Sequence, residues 1–347
     1  MILLVSPLPP PEGGIAIWTK QYLKYCENNS IDVSIVNIAL KGKRGNKINS
    51  DRNILDEVKR TLYIITDLKK KLKSCNPQYV HINTACAKWG FFRDAMCVSI
   101  AKKRGVKVIF HYRCTVQDKL GQSKLRNIIF RKITAKADVV LTLNKISEDF
   151  VKGNIPSVNV VTVPNFISAD NINHEFIVSD KIEQILYVGH VQYDKGVREI
   201  FKAAESFPEK NFILAGPVAD EVKSLVCPDN VKLIGRLDHS EVQKLMCKSD
   251  VFLFPSYTEG FSNALVEAMA CGLPVIASDV GANKDMIENH GGIIISEKSH
   301  DEIITALKKI ENYDLRCSMS LWNQKKVFDK YRVEIVMKRL LEIYNNI

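Results

Sequence analysis

A chain of 347 residues, 46% hydrophobic and 25% charged, exceeds one ordinary domain and suits two, each with its own core. No run of about eighteen apolar residues is present to cross a membrane. Nine cysteines without a CxxC pair and seven histidines without metal-type spacing argue against a disulfide framework and against zinc.

The formal net charge of +10 fits nucleic acid, an anionic membrane surface or a phosphate-bearing ligand, and does not choose among them. Much of the basic excess lies in stretches 41–73 and 119–136. The opening residues are five apolar positions that break into prolines, which reads as a first strand rather than a signal peptide, so a cytoplasmic protein is expected.

In chain order, short apolar β-branched runs at 2–6, 33–38, 79–83, 107–111, 139–143 and 159–163 alternate with segments of helical period. That alternation is the pattern of βαβ units and parallel sheets. A polar stretch at about 165–181 follows Pro164 and reads as a domain junction. A second series of strands is predicted at 184–188, 211–215, 231–234, 251–254, 275–277 and 292–295, with helical period from about 301 onward. The predicted organisation is a first domain at 1–167, a second at 168–325, and a C-terminal helix at 326–347 returning toward the first. Two doubly wound α/β domains of this kind, facing a central cleft, bind ligands in the loops that follow their strands.

The stretch from Phe254 to Pro274 reads as strand, loop, helix and stop, with Gly272 and Pro274 ending the helix. A helix starting near Ser262 turns the backbone N–H groups of Phe261, Ser262, Asn263 and Ala264 toward a ligand, a natural seat for a diphosphate. Glu259 precedes that seat and Glu267 lies about two turns inside the helix, a rise of up to about 12 Å. The two carboxylates therefore suit different hydroxyl groups of one ligand better than a shared proton. Taken singly, each is as consistent with a solvated surface glutamate.

EGFSNALVE followed by AMACGLPVIAS closely resembles the Glu-x7-Glu signature of retaining glycosyltransferases of family 4 (glycosyl transferases group 1), which have the GT-B fold. The resemblance extends, more loosely in the first half, across nearly the whole chain. It implies that the donor is a nucleoside diphosphate sugar, that Glu259 orients the sugar, and that Glu267 holds the ribose. Gly189 to Gly196 looks like the family's phosphate loop, in which Lys195 contacts the diphosphate. The family usually has arginine where this chain has His190, so a neutral imidazole replaces a bidentate clamp. Arg198 and Arg236 are alternative sources of that charge.

In the first half, Pro11 to Ala16 resembles the family's amino-terminal glycine loop, which implies that Gly13 and Gly14 bind the donor by letting the backbone approach a phosphate or sugar; as a bare pattern it is an ordinary turn. His111 closes an apolar strand, and the family places a histidine there beside the transferred sugar. A satisfied buried histidine is the competing account. Gly281 to Asp285 loosely matches a loop that closes the donor pocket.

No Asp-x-Asp pair occurs, so the metal-bridged diphosphate of the other large glycosyltransferase fold lacks its ligands, and activity is expected with no metal and no cofactor. The expected acceptor is a glycan or lipid-linked glycan, as in cell-surface polysaccharide synthesis. In 123–137, Leu125, Ile128, Ile129 and Ile133 share one helical face among Lys and Arg. Such a helix suits an anionic membrane surface, and equally suits packing on its own sheet. Sugar-nucleotide epimerases share the fold, and a non-catalytic binding module is a third class. No nucleic-acid motif is present.

Overall fold

The structure, a computed structural model, describes residues 1–10, 13–39, 54–168 and 177–347. The first part of the basic run that opens at Lys41, residues Pro11 and Glu12 of the glycine loop, and 169–176 of the junction lie outside the described residues. The chain divides into two compact units, Met1–Phe166 with Val333–Ile347, and Ile167–Arg332.

The first unit runs β1 (Ile2–Ser6), α1 (Gly14–Asn28), β2 (Val33–Asn37), α2 (Ile54–Ser74), β3 (Tyr79–Thr84), α3 (Lys88–Lys103), β4 (Lys107–Tyr112), α4 (Val116–Leu120), α5 (Lys124–Thr134), β5 (Val139–Thr142), α6 (Lys145–Asn154) and β6 (Val160–Thr162). The second runs β7 (Gln184–Val188), α7 (Val197–Ala204), β8 (Asn211–Ala215), α8 (Asp220–Lys223), β9 (Val231–Gly235), α9 (His239–Cys247), β10 (Val251–Phe254), α10 (Asn263–Ala270), β11 (Val275–Ser278), α11 (Asn283–Ile287), β12 (Gly292–Ile295), α12 (His300–Lys309) and α13 (Tyr313–Lys330). α14 (Val333–Asn345) returns to the first unit.

Each unit is built on a six-stranded parallel sheet, ordered β2-β1-β3-β4-β5-β6 in the first and β12-β11-β10-β7-β8-β9 in the second. These are doubly wound sheets, and each has one point where the strand order reverses: between β1 and β3, and between β7 and β10. Ligands of such sheets gather at the carboxyl ends of the strands flanking that point.

Alternation along the strands explains the layering. In β1, Leu3 and Val5 face one side with Ile82, Val80 and Leu68, while Ile2 and Leu4 face the other with Trp18, Tyr22 and Leu340. Both faces are covered, so the strands are apolar throughout, as parallel sheets require. α14 belongs to the second of these layers, where Val336, Met337, Leu340 and Tyr344 pack with Trp18 and Tyr22 of α1. Side-chain caps set several helix starts: Asn144 accepts from Ser147 N at 2.8 Å, and Asp238 and Glu241 form a reciprocal capping box.

The last crossing between units falls at Arg332/Val333, later than the 325/326 boundary expected from sequence. The reason is that α13 is fixed within the second unit along its length. The buried guanidinium of Arg316 donates to the carbonyls of Ile310, Glu311, Ser179 and Asp180 at 2.7–2.9 Å. Further along, Asn323 Nδ2 donates to Leu273 O and Gly291 O, both at 2.8 Å, and Val327 is buried. Only after Arg332 does the chain leave. Among the described residues, no helix is long and apolar enough to cross a membrane.

Candidate active site

The loops after β7 and β10 meet at the reversal point of the second sheet, and they carry the expected donor-site residues of that unit. The loop after β7 is shaped by two glycines. At Gly189, φ is +157°, and a Cβ there would sit 2.6 Å from Tyr187 Oη, whose hydroxyl donates to His190 O at 2.8 Å. A single turn of 3-10 helix over Tyr193–Lys195 then ends at Gly196, with φ +77°. A Cβ at Gly196 would lie 2.2 Å from Pro255 O, so only glycine lets the two loops approach this closely. Backbone bonding seals the junction, with Tyr257 N donating to Asp194 O at 2.9 Å.

That approach delivers Lys195 to Glu259. Lys195 Nζ lies 2.6 Å from Glu259 Oε1 and donates to Thr258 O at 3.3 Å. Ser256, fully buried, donates to the same Glu259 oxygen at 2.9 Å. With side chains only 19% and 15% exposed, the ammonium and the carboxylate are poorly solvated and hold each other more firmly than a surface pair does. Gly281, φ +59°, presses on this loop: a Cβ there would fall 2.4 Å from Glu259 O, and Ala282 N donates to Gly260 O at 3.1 Å. The 281–285 loop is thus part of what fixes Glu259.

α10 begins at Asn263, one residue after its cap. Ser262 Oγ accepts from Leu265 N at 3.2 Å, and the positive end of the helix, with Ala264 in its first turn, opens beside the Glu259 loop. The ring of Phe261 is buried and meets Tyr331 edge-on at 5.3 Å. Glu267 projects from the same helix near His239 at the start of α9, with Oε1 3.5 Å from His239 Nε2. Sequence reading assigned His239 no role; its approach to Glu267 joins positions 28 residues apart in the chain and has no local signal.

His190 is exposed, and its pKa is lowered by desolvation, then by the positive charges of Lys195 and Arg236 against an opposing pull from Asp194. The imidazole is therefore neutral near pH 7 in the absence of an anion. The turn after β8 was also missed: Gly216, φ +146°, leaves no room for a Cβ, which would meet Gly189 O at 1.8 Å.

Gly13, Gly14 and His111 belong to the first unit. Gly13 caps α1 and Gly14 is its first residue. His111 departs from the expectation that it opens to ligand. β4 continues one residue further to Tyr112, and the His111 side chain is fully buried. Its Nδ1 lies 3.2 Å from His81 Nε2, and its Nε2 3.2 Å from Arg113 Nη1. Burial first, then Arg113 and His81, push its pKa well below the ordinary value. Trp18, Tyr22, Phe166 and Tyr344 wall the cluster. His111 is a satisfied core histidine in an aromatic shell.

Residues 170–324 match the family model described as glycosyl transferases group 1. Among curated relatives, the capsular polysaccharide biosynthesis glycosyltransferase CapM of Staphylococcus aureus is 22% identical over 93% of this chain and 92% of its own length. Among solved structures, sucrose-phosphate synthase from Thermosynechococcus elongatus superposes with a TM-score of 0.82 at 16% identity, covering 99% of this chain and 98% of that one. HepE of Anabaena, solved in complex with UDP and glucose, gives 0.74 at 14% identity with both chains covered completely. The fold is GT-B. The second unit matches glycosyl transferases group 1.

Proposed function

We propose that this chain moves a sugar from a nucleoside diphosphate sugar to a glycan or lipid-linked glycan acceptor, with retention of anomeric configuration, as a family 4 enzyme in cell-surface polysaccharide synthesis. The observation that carries this reading is the Lys195–Glu259–Ser256 cluster at the reversal point of the second sheet, beside the N-terminus of α10. The names of CapM, a capsular polysaccharide enzyme, and of the HepE complex with UDP and glucose support the same substrate classes.

In this reading Lys195 and the α10 N–H groups take up the negative charge that grows on the departing diphosphate. Glu259, held by Ser256 and the Gly281 loop, orients the donor sugar, and Glu267 accepts from the ribose hydroxyls. Gly189 and His190 lie along the diphosphate. The cationic role falls to Lys195 and the helix rather than to a divalent ion. His111 acts at most by supporting the first unit's sheet.

Contact with the acceptor's membrane is assigned to α5 on the cytoplasmic face. Leu125 and Ile128 are 57% and 50% exposed there, while Ile133 turns into the core. The exposed pair supports the membrane-facing reading of this helix, and buried Ile133 the packing one.

The test is slow donor hydrolysis without acceptor, with UDP-glucose, UDP-galactose, UDP-N-acetylglucosamine and GDP-mannose followed by proton NMR. The proposal expects one donor to be consumed and its sugar to appear first as the anomer of the donor. Appearance first as the opposite anomer would refute retention.

A further inference from the structure

α2, α3 and α5, which lead from β2 to β3, β3 to β4 and β4 to β5, lie on one face of the first sheet. Leu68 of α2, Phe91 and Val98 of α3 and Phe130 of α5 share one core cluster with Leu3 and Val5 of β1. α3 touches both α2 and α5. Each helix joins parallel strands and so runs back against them, which sets the three helix starts along one edge of the sheet.

The outward side of all three helices follows one order. On α2, exposed Val58, Leu62 and Tyr63 precede exposed Lys69, Lys70 and Lys73. On α3, exposed Trp89, Phe92 and Met96 precede Lys103, and on α5, Leu125 and Ile128 precede Arg131 and Lys132. Spacings of three and four keep each apolar set on one helical stripe. One exposed apolar side chain is ordinary, but eight on three adjoining helices make a band that calls for a partner. Lys59 and Lys124 border that band.

The exposed charge on these helices is of one sign. Among their described residues no Asp or Glu is exposed. Glu57 is buried against Arg60 at 3.3 Å and Asp94 against Arg93 at 2.7 Å, while Asp67 is half-buried beside Lys71 at 3.3 Å. A second copy would bring the same cations and no exposed acid to meet them, so like faces repel. An apolar band with cations alone at its side matches a bilayer whose acyl chains take the band and whose anionic headgroups take the lysines.

We propose that this face of the first unit docks on an anionic lipid bilayer, with Trp89, Phe92 and Met96 central to the inserted band and Lys69, Lys73, Lys103 and Lys132 against lipid phosphates. The inference rests on the membrane contact proposed for α5 and deepens it: α5 becomes one border of a three-helix surface centred on α3. Trp89 has the amphipathic ring that settles at the level of the headgroups.

The test is cosedimentation of the full-length protein with vesicles of phosphatidylcholine, alone or mixed with phosphatidylglycerol. Three paired variants change exposed positions only: Trp89→Ser with Met96→Ser on α3, Lys69→Glu with Lys73→Glu on α2, and Leu125→Ser with Ile128→Ser on α5. The expected result is that mixed vesicles bind about tenfold or more tightly than neutral ones, that each pair weakens this about tenfold or more, and that added salt weakens it too. Trp18 is buried and Trp322 belongs to the second unit, so a blue shift of emission on binding that Trp89→Phe removes, with binding kept, places α3 in the bilayer. Urea midpoints equal to wild type confirm folding of the variants; should one pair fail to fold, the other two decide. The proposal is overturned if the α2 and α3 pairs leave binding within twofold while the α5 pair removes it, a result that keeps the α5 contact alone. Equal binding to neutral vesicles, or Trp89 emission unchanged on binding, also overturns it. Absence of binding to any vesicle would remove the membrane contact altogether, α5 included.

Discussion

Lys195 Nζ and Glu259 Oε1 stand 2.6 Å apart across two loops that come from different strands, joined only because Gly196 lets its loop lie against Pro255. In the proposed reading, a lysine assigned to the diphosphate is held by the carboxylate assigned to the sugar. Donor binding must therefore part or share this pair, which couples seating of the phosphate to orientation of the sugar. Lys195→Met is expected to lower kcat by a factor of about 10²–10³, the usual loss when one transition-state donor is removed. Glu259→Gln should lower kcat similarly with a smaller change in nucleotide affinity. Steady-state kinetics of both variants check this, and a loss confined to KM would contradict it.

Gly196 offers a structural counterpart. A residue at φ +77° with a backbone oxygen 2.2 Å from its Cβ position cannot become alanine without moving the turn. Gly196→Ala is expected to destabilise the protein by at least about 1–2 kcal/mol from backbone strain alone, and to weaken nucleotide binding as Lys195 shifts. Urea denaturation with parallel nucleotide titration measures both, and an unaltered midpoint would contradict the loop geometry.

The strand framework was legible in sequence. All twelve predicted strands are present with ends within one residue, because continuous apolar runs punctuated by glycine and proline are a local signal. The Phe254–Pro274 motif was legible for the same reason: Ser262 caps the helix and Gly272 stops it. What sequence did not reveal depends on residues distant in the chain. The burial of His111 comes from Trp18, His81 and Arg113, and Glu267 meets His239 across 28 residues of chain. The late crossing at Arg332 reflects Arg316 and Asn323 bonding carbonyls far upstream. The shared outward face of α2, α3 and α5 also emerges only from the folded arrangement, which sets three separate stripes side by side.

His190 gives a pH prediction whose sign follows from its surroundings. Desolvation, Lys195 and Arg236 lower its pKa in the free protein, so it is neutral at pH 7. A bound diphosphate opposes that shift, so binding takes up a proton and affinity falls as pH rises through the bound-state pKa. His190→Arg should keep affinity at high pH and flatten the profile, measured by calorimetry in two buffers of different ionisation enthalpy. Identical profiles for wild type and variant would exclude His190 from the phosphate site.

The buried pair His81 and His111 predicts acid sensitivity of the first unit. Burial, then Arg113, lowers His81 to about 3, and His111 is also held well below its ordinary value. The unfolded chain takes up protons at these positions below about pH 6.5 while the folded one does not. Their stabilising contribution is therefore complete above that pH and declines as pH falls, by up to about 1.4 kcal/mol per pH unit for each histidine. Urea melts between pH 7 and pH 4.5 measure the slope, and His81→Phe should reduce it by about one proton. An equal slope in the variant would show that His81 is not kept neutral.

The most direct test of the central claim, that the reversal point of the second sheet binds the nucleotide of the donor, is calorimetric titration of wild type and Lys195→Met with UDP, GDP and ADP. The account predicts that one diphosphate binds the wild type and that Lys195→Met weakens it tenfold or more, about 1.4 kcal/mol. An unchanged dissociation constant in Lys195→Met would contradict it and would place the nucleotide elsewhere.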